Sequence, residues 1–372
     1  MKACPRILFR HQLSRLVSRA VGVPKRVPFA IGAILLALNA PVPAAEPRQT
    51  VIVVVGAEGT EEFREPFRTW ANRWRTAAEQ GGAECHIIGL DPESDPVDRE
   101  RLKELLARHA VSSLEPLWLV LIGHGTFNGK VARFNLRGPD LSGPELAEMV
   151  KPVARPLAIA DCTSCSAPFL ADLSGRGRVV VTATRSGHEY NLSRFGDSLS
   201  ASINDSAGDL DKDGQTSLLE AFLLASNRVQ EFYASESRLA TEHSLLDDNG
   251  DKLGTPPDWF KGTRAVKASK DGAAADGQYA NSFVLVRSPA EAQLTPEQRT
   301  RRDALERQLA ELRARKSQLS EDDYLNALEP LLLELGSIAI QASRSPPAPR
   351  PFSSAPPASA LPPAKPPVST SR

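Results

Sequence analysis

The residues with the clearest chemical potential are a histidine and a cysteine that each follow an apolar segment. His124 follows the run LWLVLI at 117–122 after one glycine, and Cys162 follows the run PLAIA at 156–160 after Asp161. Uninterrupted apolar runs of this length are typical of strands that are buried on both faces. Because the carboxyl ends of parallel strands meet at one edge of an open α/β sheet, we expect the two side chains to face each other there. A thiol beside an imidazole is a candidate nucleophile for hydrolysis.

Acyl transfer by such a pair also requires hydrogen-bond donors for the developing oxyanion. Backbone N–H groups supply these donors most simply. Gly125 has no side chain, so a substrate is able to approach its main chain closely, and the N–H of Cys162 is a second donor. The sequence therefore predicts a catalytic group made of His124, Cys162 and Gly125.

The sequence around these residues resembles the legumain-type branch of the caspase-like cysteine peptidases. In that family one strand ends in His-Gly, and a later strand ends in an acidic or small residue, Cys, any residue, Ser and usually Gly. The chain has IGHG at 122–125 and ADCTS at 160–164, and VTATRSGHE at 181–189 looks like the next strand and its pocket-lining turn. The resemblance implies that His124 is the base, that Cys162 is the nucleophile, and that the N–H groups of Gly125 and Cys162 form the oxyanion hole.

One departure from the family pattern leaves several alternatives open. Cys165 stands where the family usually has glycine, which makes it a rival nucleophile, although Cys162 is favoured because it directly ends the strand. The pair Cys162 and Cys165 also forms a C-x-x-C motif, which is typical of dithiol oxidoreductases. A structural disulfide, two inert buried thiols, and a domain that has lost catalysis and binds a partner instead are the remaining readings.

Three charged residues after the predicted fifth strand are candidates for a specificity pocket, with a solvated loop as the alternative. They are Arg185, His188 and Glu189. A charged pocket wall selects a substrate residue by pairing with it. His86, within a predicted strand, and His109, at a predicted helix end, are expected to be structural.

A second motif has the spacing of a calcium-binding loop. The segment 209–220 places carboxylates at loop positions 1, 3 and 5, glycine at 6, a backbone carbonyl at 7, serine at 9 and glutamate at 12. Calcium requires six to eight oxygen ligands. The sequence therefore predicts one structural Ca²⁺ ion, with ligands from Asp209, Asp211, Asp213, Gln215, Ser217 and Glu220. The segment 247–251 is a weaker echo of the same pattern, because Lys252 stands where a loop glycine is expected.

The elements that position these residues alternate along the chain. Strand-like segments at 50–55, 85–90, 117–122, 157–160, 179–184 and 282–286 alternate with helical patterns at 61–79, 98–109, 145–150 and 218–233. Such alternation favours an α/β fold with a largely parallel sheet that is covered on both faces. Together with the resemblance, it predicts a caspase-like, mostly parallel six-stranded sheet flanked by helices, over residues 46–290.

The segments outside this domain have a different character. Leucines recur at helical spacing over 291–343, which predicts an appended helical hairpin, kinked or broken at Pro330, and a candidate contact for a protein partner. Residues 344–372 form a proline-rich tail with the composition of disorder. Residues 1–45 combine a basic start, an apolar run and small residues, which predicts a signal peptide or a retained anchor.

Composition limits the classes of function. The chain has 372 residues, 45 basic and 45 acidic side chains and no net charge, so nucleic acid is an unexpected partner. We expect an exported protein, periplasmic or extracellular, that contacts a membrane only through an uncleaved N-terminal segment. The leading interpretation is a calcium-binding cysteine endopeptidase that hydrolyses a peptide or protein through a Cys–His dyad. A catalytically inactive caspase-like, calcium-binding interaction module is the alternative, and a thiol–disulfide oxidoreductase is less favoured.

Overall fold

The computed structural model describes residues 47–92, 97–267 and 275–344, with side chains to residue 341. The predicted signal segment 1–45 and the predicted tail beyond residue 344 lie outside the described residues.

The strands of the described residues follow the apolar runs of the sequence. In chain order they are β1 (Thr50–Val55), β2 (Glu84–Ile88), β3 (Leu117–Ile122), β4 (Gly125–Phe127), β5 (Ala132–Phe134), β6 (Leu141–Ser142), β7 (Leu157–Asp161), β8 (Arg178–Thr182), β9 (Leu245–Asp247), β10 (Phe260–Lys261) and β11 (Arg264–Ala265). Six of them form the main sheet, in the order β2-β1-β3-β7-β8-β9. The first five of these are parallel, and β9 is antiparallel to β8. The predicted six-stranded, mostly parallel sheet is therefore confirmed.

The strand order places a crevice at the carboxyl edge of the sheet. The chain moves outward from β1 to β2 on one side, and from β3 through β7 and β8 on the other. In open α/β sheets, a ligand site forms at the carboxyl ends of strands where the strand order reverses in this way. Here that point lies between β1 and β3, and His124 follows β3 by two residues.

Helices cover both faces of the sheet. The helices are α1 (Arg64–Gln80), α2 (Asp98–Arg108), α3 (Gly143–Val150), α4 (Ala167–Leu173), α5 (Phe195–Ser202), α6 (Leu218–Ser235), α7 (Pro296–Ala314) and α8 (Glu321–Arg344). Apolar residues of α1, α5 and α6 pack with alternate strand residues on one face, and those of α2, α3 and α4 pack on the other. Because both faces are buried, every residue of β1, β3 and β7 is buried.

The sixth strand is not the one that the sequence predicts. Residues 282–286 contribute only a single bridge, between Val284 and Ser217, and the sixth strand is β9. Phe283 and Leu285 are buried in the core on the α1 face, and Gln49 donates its side-chain N–H to the carbonyls of Val284 and Leu285. Residues 283–285 of this covering segment are buried together, and such a short continuous apolar run has the same pattern as a buried strand.

The two C-terminal helices pack against each other. Thr295 caps α7 in a capping box with Gln298, as the residue types predict, and Leu305 of α7 is buried with Ile338 of α8. Helix α8 continues through Pro330, where we expected a kink or a break. Four large apolar side chains in the described part of α8 are exposed: Leu325, Leu332, Leu333 and Ile340. Within the described residues, no helix is both long enough and apolar enough to cross a bilayer.

Candidate functional site

His124 lies at the carboxyl edge of the sheet, between β3 and the start of α1. Its Nε2 atom is 3.1 Å from the carbonyl oxygen of Glu58, in the loop after β1. Its ring makes edge contacts with Phe63 and Phe67, at centroid distances of 4.9 and 5.3 Å. The histidine is half-buried, so two aromatic rings and one carbonyl fix its orientation while part of the ring stays accessible.

Gly125 contacts the segment that follows β7 very closely. The Gly125 N–H donates to Ser164 Oγ at 3.1 Å, and the Ser164 hydroxyl donates to the Gly125 carbonyl at 3.2 Å. A Cβ atom on Gly125 would stand 2.0 Å from the Ser164 carbonyl oxygen, so only glycine fits here. Ser164 therefore occupies the N–H group that the sequence assigned to the oxyanion hole.

Cys162 directly ends β7, but its side chain points into the hydrophobic core. The residue is 0% exposed and belongs to the apolar cluster on the α1 face. A Cβ on Gly196 of α5 would come within 2.9 Å of the Cys162 Cβ, and the Trp70 ring closes the same space. Burial raises the pKa of the Cys162 thiol well above its usual range, and nearby Asp161 raises it further. The Cys162 N–H donates to the Leu121 carbonyl at 3.0 Å.

Cys165 is equally enclosed. It is 1% exposed, and burial raises the pKa of its thiol to about 11. Its φ of 58° lies in the left-handed region, which favours the glycine that the resembled family has at this place. The Cys165 thiol is 3.7 Å from the Glu189 carbonyl oxygen. Cys162 and Cys165 are both free thiols.

A second hydroxyl from the β7 edge, that of Thr163, also lies close to Gly125. Thr163 Oγ1 is 3.0 Å from the place that a Cβ on Gly125 would take, and it donates to Asp161 Oδ1 at 2.7 Å. Asp161 is fully buried, and its Oδ2 atom has no hydrogen-bond partner. Burial raises the pKa of Asp161 to about 7. Thr163 was not predicted from the sequence, because it stands at the position of the motif where the resembled family accepts any residue.

The three candidate pocket residues after β8 have different contacts. Glu189 Oε1 is 2.6 Å from His243 Nδ1, and the Arg185 guanidinium is 3.6 Å from the same oxygen. His188 Nδ1 is 2.8 Å from the Tyr190 hydroxyl. Of the two side chains in contact with the Glu189 carboxylate, Arg185 is the more exposed. His243, which completes this ion pair, was not among the sequence-based candidates because it lies 54 residues from Glu189.

A cavity of about 560 Å³ lies beside His124, at the carboxyl ends of β1 and β2. The loop 56–59 forms one wall, and it includes Glu58, whose carbonyl contacts the histidine. Three arginines also line the cavity. Arg64 pairs with Glu58, Arg137 pairs with the buried Asp98, and Arg68 lies 3.5 Å from the exposed Glu65.

The predicted calcium loop folds with its carboxylates close together. Oxygen atoms of Asp209, Asp211 and Asp213 lie within 4.8 Å of one another. The backbone has positive φ at Lys212 and Gly214, and burial raises the pKa of Asp213.

The other predicted ligands of this loop have protein partners. Glu220 is buried; its carboxylate accepts the N–H groups of Leu210 and Asp211 and the N–H and hydroxyl of Ser217, which caps α6. The Gln215 side chain donates to Asp213 and accepts from the Ser288 N–H.

The weaker loop at 247–251 has a related backbone shape. Gly250 and Lys252 have positive φ, as do the fourth and sixth residues of the first loop. Asp247 accepts the N–H groups of Gly250 and Lys252.

Comparison with known proteins returned similarities only to solved structures. No protein-family model matches the chain, and no curated protein matches it. The initiator caspase Dronc of Drosophila is similar at 13% identity and a TM-score of 0.38, covering 54% of this chain and 79% of that one. Caspase-1 of Spodoptera frugiperda is similar at 8% identity and a TM-score of 0.37, covering 55% and 89%. Raptor of Chaetomium thermophilum is similar at 12% identity and a TM-score of 0.29, covering 42% and 17%.

Two of these three structures are caspases, the class whose fold the sequence predicts. None of the three similarities is specific to the legumain-type branch. The identities lie at 13% or below and the TM-scores below 0.5, so these similarities carry no information about the activity of this chain.

Proposed function

We propose that the chain is an exported, caspase-like interaction module that binds a peptide or protein segment at the carboxyl edge of its sheet without hydrolysing it. The observation that carries this proposal is the burial of both thiols near the edge. Cys162 is 0% exposed and Cys165 is 1% exposed. A cysteine nucleophile requires a thiolate that its substrate can reach.

The surrounding hydrogen bonds support the same conclusion. The Gly125 N–H is engaged by Ser164 Oγ, and the Cys162 N–H is engaged by the Leu121 carbonyl. An oxyanion hole needs donors that are directed at the developing charge. His124 is held by a backbone carbonyl and two aromatic rings, which suits a recognition surface as well as a base.

A cysteine endopeptidase of the legumain type is the second candidate. It is favoured by the strand pairing, because His124 and Cys162 follow the neighbouring parallel strands β3 and β7. Activity through this dyad would require the segment after β7 to turn the thiol out of the core and towards the imidazole. The dithiol reading would require the same for both cysteines.

A peptidase assay of the full-length chain separates the candidates. The substrates are fluorogenic peptides with asparagine, aspartate or arginine before the cut, and the variants are His124→Ala, Cys162→Ala and Cys165→Ala. We expect only background turnover for every variant and for the unmodified chain. Turnover that is lost in His124→Ala and Cys162→Ala but kept in Cys165→Ala would establish the peptidase instead. Insulin reduction that needs both cysteines would establish the oxidoreductase.

The binding surface that we propose is the cavity beside His124. Arg68 lines it, and both Arg68 and its neighbour Glu65 are solvent-accessible, so the guanidinium is able to pair with a ligand carboxylate. We expect Arg68→Glu to weaken the binding of a labelled acidic peptide at least fivefold in fluorescence anisotropy. Arg75→Glu, an exposed change on the same helix, should leave binding unaltered. Equal affinities for both variants would remove the cavity from the proposal.

We also propose that the loop 209–220 binds one structural Ca²⁺ ion. Three carboxylates converge there, and Asp211 is an exposed member of the set that does not cap a helix. Calcium should therefore raise the melting temperature of the unmodified chain, and Asp211→Ala should abolish the increase. Asp258→Ala, an exposed acid elsewhere, is the control. Equal melting temperatures of the unmodified chain with and without calcium would contradict this site.

A further inference from the structure

Three side chains with metal-binding atoms meet at the amino end of the sheet, away from His124. Glu84 and His86 lie two residues apart on the edge strand β2, so they point to the same side of it. His109 follows α2, at the position that ends this helix. His86 Nε2 is 2.8 Å from Glu84 Oε1, and His109 Nε2 is 4.0 Å from the same oxygen. All three ligand atoms lie within 4.8 Å of one another.

The second observation is an unsatisfied nitrogen. His109 is 9% exposed, and its buried Nε2 atom has no hydrogen-bond partner although it is directed at the other two side chains. A buried polar atom without a partner is unfavourable, because it has lost its hydrogen bonds to water. The contact of the two rings, at a centroid distance of 5.2 Å, holds both imidazoles at this place.

We propose that Glu84, His86 and His109 bind a divalent transition-metal ion, with zinc as the natural occupant. Two imidazole nitrogens and one carboxylate oxygen are a donor set that suits zinc. Neighbouring ligand atoms of a tetrahedral zinc site lie roughly 3.3 Å apart, given metal–ligand distances of about 2.0–2.2 Å. The distances of 2.8 and 4.0 Å from Glu84 Oε1 to the two histidine Nε2 atoms lie on either side of that value. Small side-chain rotations are therefore enough to bring the three ligand atoms to the separations of a zinc site.

The exposure of the three residues indicates what kind of site this is. The Glu84 side chain is 50% exposed, and those of His86 and His109 are 24% and 11% exposed. Three protein ligands with one open side leave a fourth position for water or for a ligand atom from a partner. The ion would join the edge strand β2 to the end of α2, and would satisfy the orphaned His109 nitrogen.

The charges around the site are mixed. Arg108 and Arg155 lie near His109, and both oppose a cation, whereas Glu84 favours one. The Arg155 guanidinium donates hydrogen bonds to the carbonyls of Glu115, Pro116 and Arg48.

Cys85 is the one other soft donor on this strand. It points to the opposite side of β2, where it packs against the core on the α1 face. We therefore assign the site to the imidazoles and the carboxylate, without the thiol.

The test is zinc titration of the full-length chain against a chromophoric chelator, in calcium-free buffer. We expect one equivalent of tight zinc, with affinity reduced at least tenfold in His86→Ala and in His109→Ala. Glu84→Gln, which preserves the side-chain shape, should also weaken binding. His188→Ala, Cys85→Ser and Asp211→Ala should leave it unchanged, since these residues lie outside the proposed ligand set.

Two results would overturn the proposal. One is zinc affinity that neither histidine variant alters, and the other is zinc affinity that Cys85→Ser abolishes. If His109→Ala does not fold, as judged by circular dichroism, His86→Ala carries the test because His86 is more exposed. The visible absorption of bound Co²⁺ gives an independent check: we expect d–d bands without thiolate-to-cobalt charge transfer, and such charge transfer would contradict the ligand set.

Discussion

Replacement of Cys162 by serine distinguishes a packing residue from a nucleophile. The thiol lies in the core between Trp70 and Gly196, and the nearest acceptor is the Ala160 carbonyl, 3.9 Å from Sγ. A hydroxyl needs an acceptor at about 2.7–2.8 Å, so the serine Oγ would be buried without a partner. An unpaired buried hydroxyl costs about 1–3 kcal/mol, and we expect Cys162→Ser to lose that much unfolding free energy.

Two further variants calibrate this value. Cys162→Ala removes one heavy atom and introduces no polar group, so it should cost about 1 kcal/mol. Cys85→Ser places its hydroxyl on the half-buried edge strand, where water is near, and should cost less than about 0.5 kcal/mol.

The assay is urea unfolding followed by circular dichroism, with thermal unfolding as a check. In a domain of this size, 1 kcal/mol corresponds to roughly 2–4 °C in melting temperature. The reasoning would be refuted if Cys162→Ser were as stable as the unmodified chain. That result would mean that the side chain at 162 reaches water, as a nucleophile must.

Three more predictions concern the same edge and its support. Burial raises the pKa of Asp161 to about 7 in the folded chain, whereas an aspartate carboxyl in the unfolded chain has a pKa near 4. As the pH rises, the unfolded chain therefore loses the Asp161 proton before the folded chain does. The free energy of unfolding falls as the pH rises from about 4 to 7. Asp161→Asn should reduce that fall by up to about 4 kcal/mol in urea unfolding at the two pH values, and an unchanged pH dependence would contradict it. Gly125→Ala brings a Cβ within 2.0 Å of the Ser164 carbonyl oxygen and should cost about 1–3 kcal/mol by calorimetry; a neutral effect would show that the two segments separate easily. Arg137→Met leaves the buried Asp98 with weaker pairing and should cost about 3 kcal/mol in the same measurement, whereas a loss below 1 kcal/mol would show that Asp98 is not held by this arginine.

The sequence was sufficient for the elements that depend on local pattern. β1 and β3 begin and end at the residues that the sequence predicts, 50–55 and 117–122. The capping box of α7 follows from Thr295 and Gln298, whose side chains bond the first turn. Residues 282–286 were predicted wrongly, because a covering segment and a buried strand share the same short apolar run.

The enclosure of the candidate nucleophile depended on packing between distant segments. Alternation along β7 places Cys162 on the same face as Ala158 and Ala160, so its direction was readable from the period of two. Its enclosure was not, because Trp70 and Gly196 come from helices far away in the chain. For the same reason, the proximity of His86 and His109 could not be predicted from the local sequence. The two side chains come together only because α2 packs beside the edge strand β2.

Alkylation of Cys162 in the native full-length chain tests the central claim most directly. Iodoacetamide is added at neutral pH, and the modified cysteines are located by peptide mass spectrometry, with urea-unfolded protein as the reference. We predict that Cys162 stays unmodified in the native chain and is fully modified in the unfolded one, because the core encloses its thiol. Rapid native alkylation at Cys162, more rapid than at Cys85, would show a reactive thiol at the sheet edge and would contradict the account.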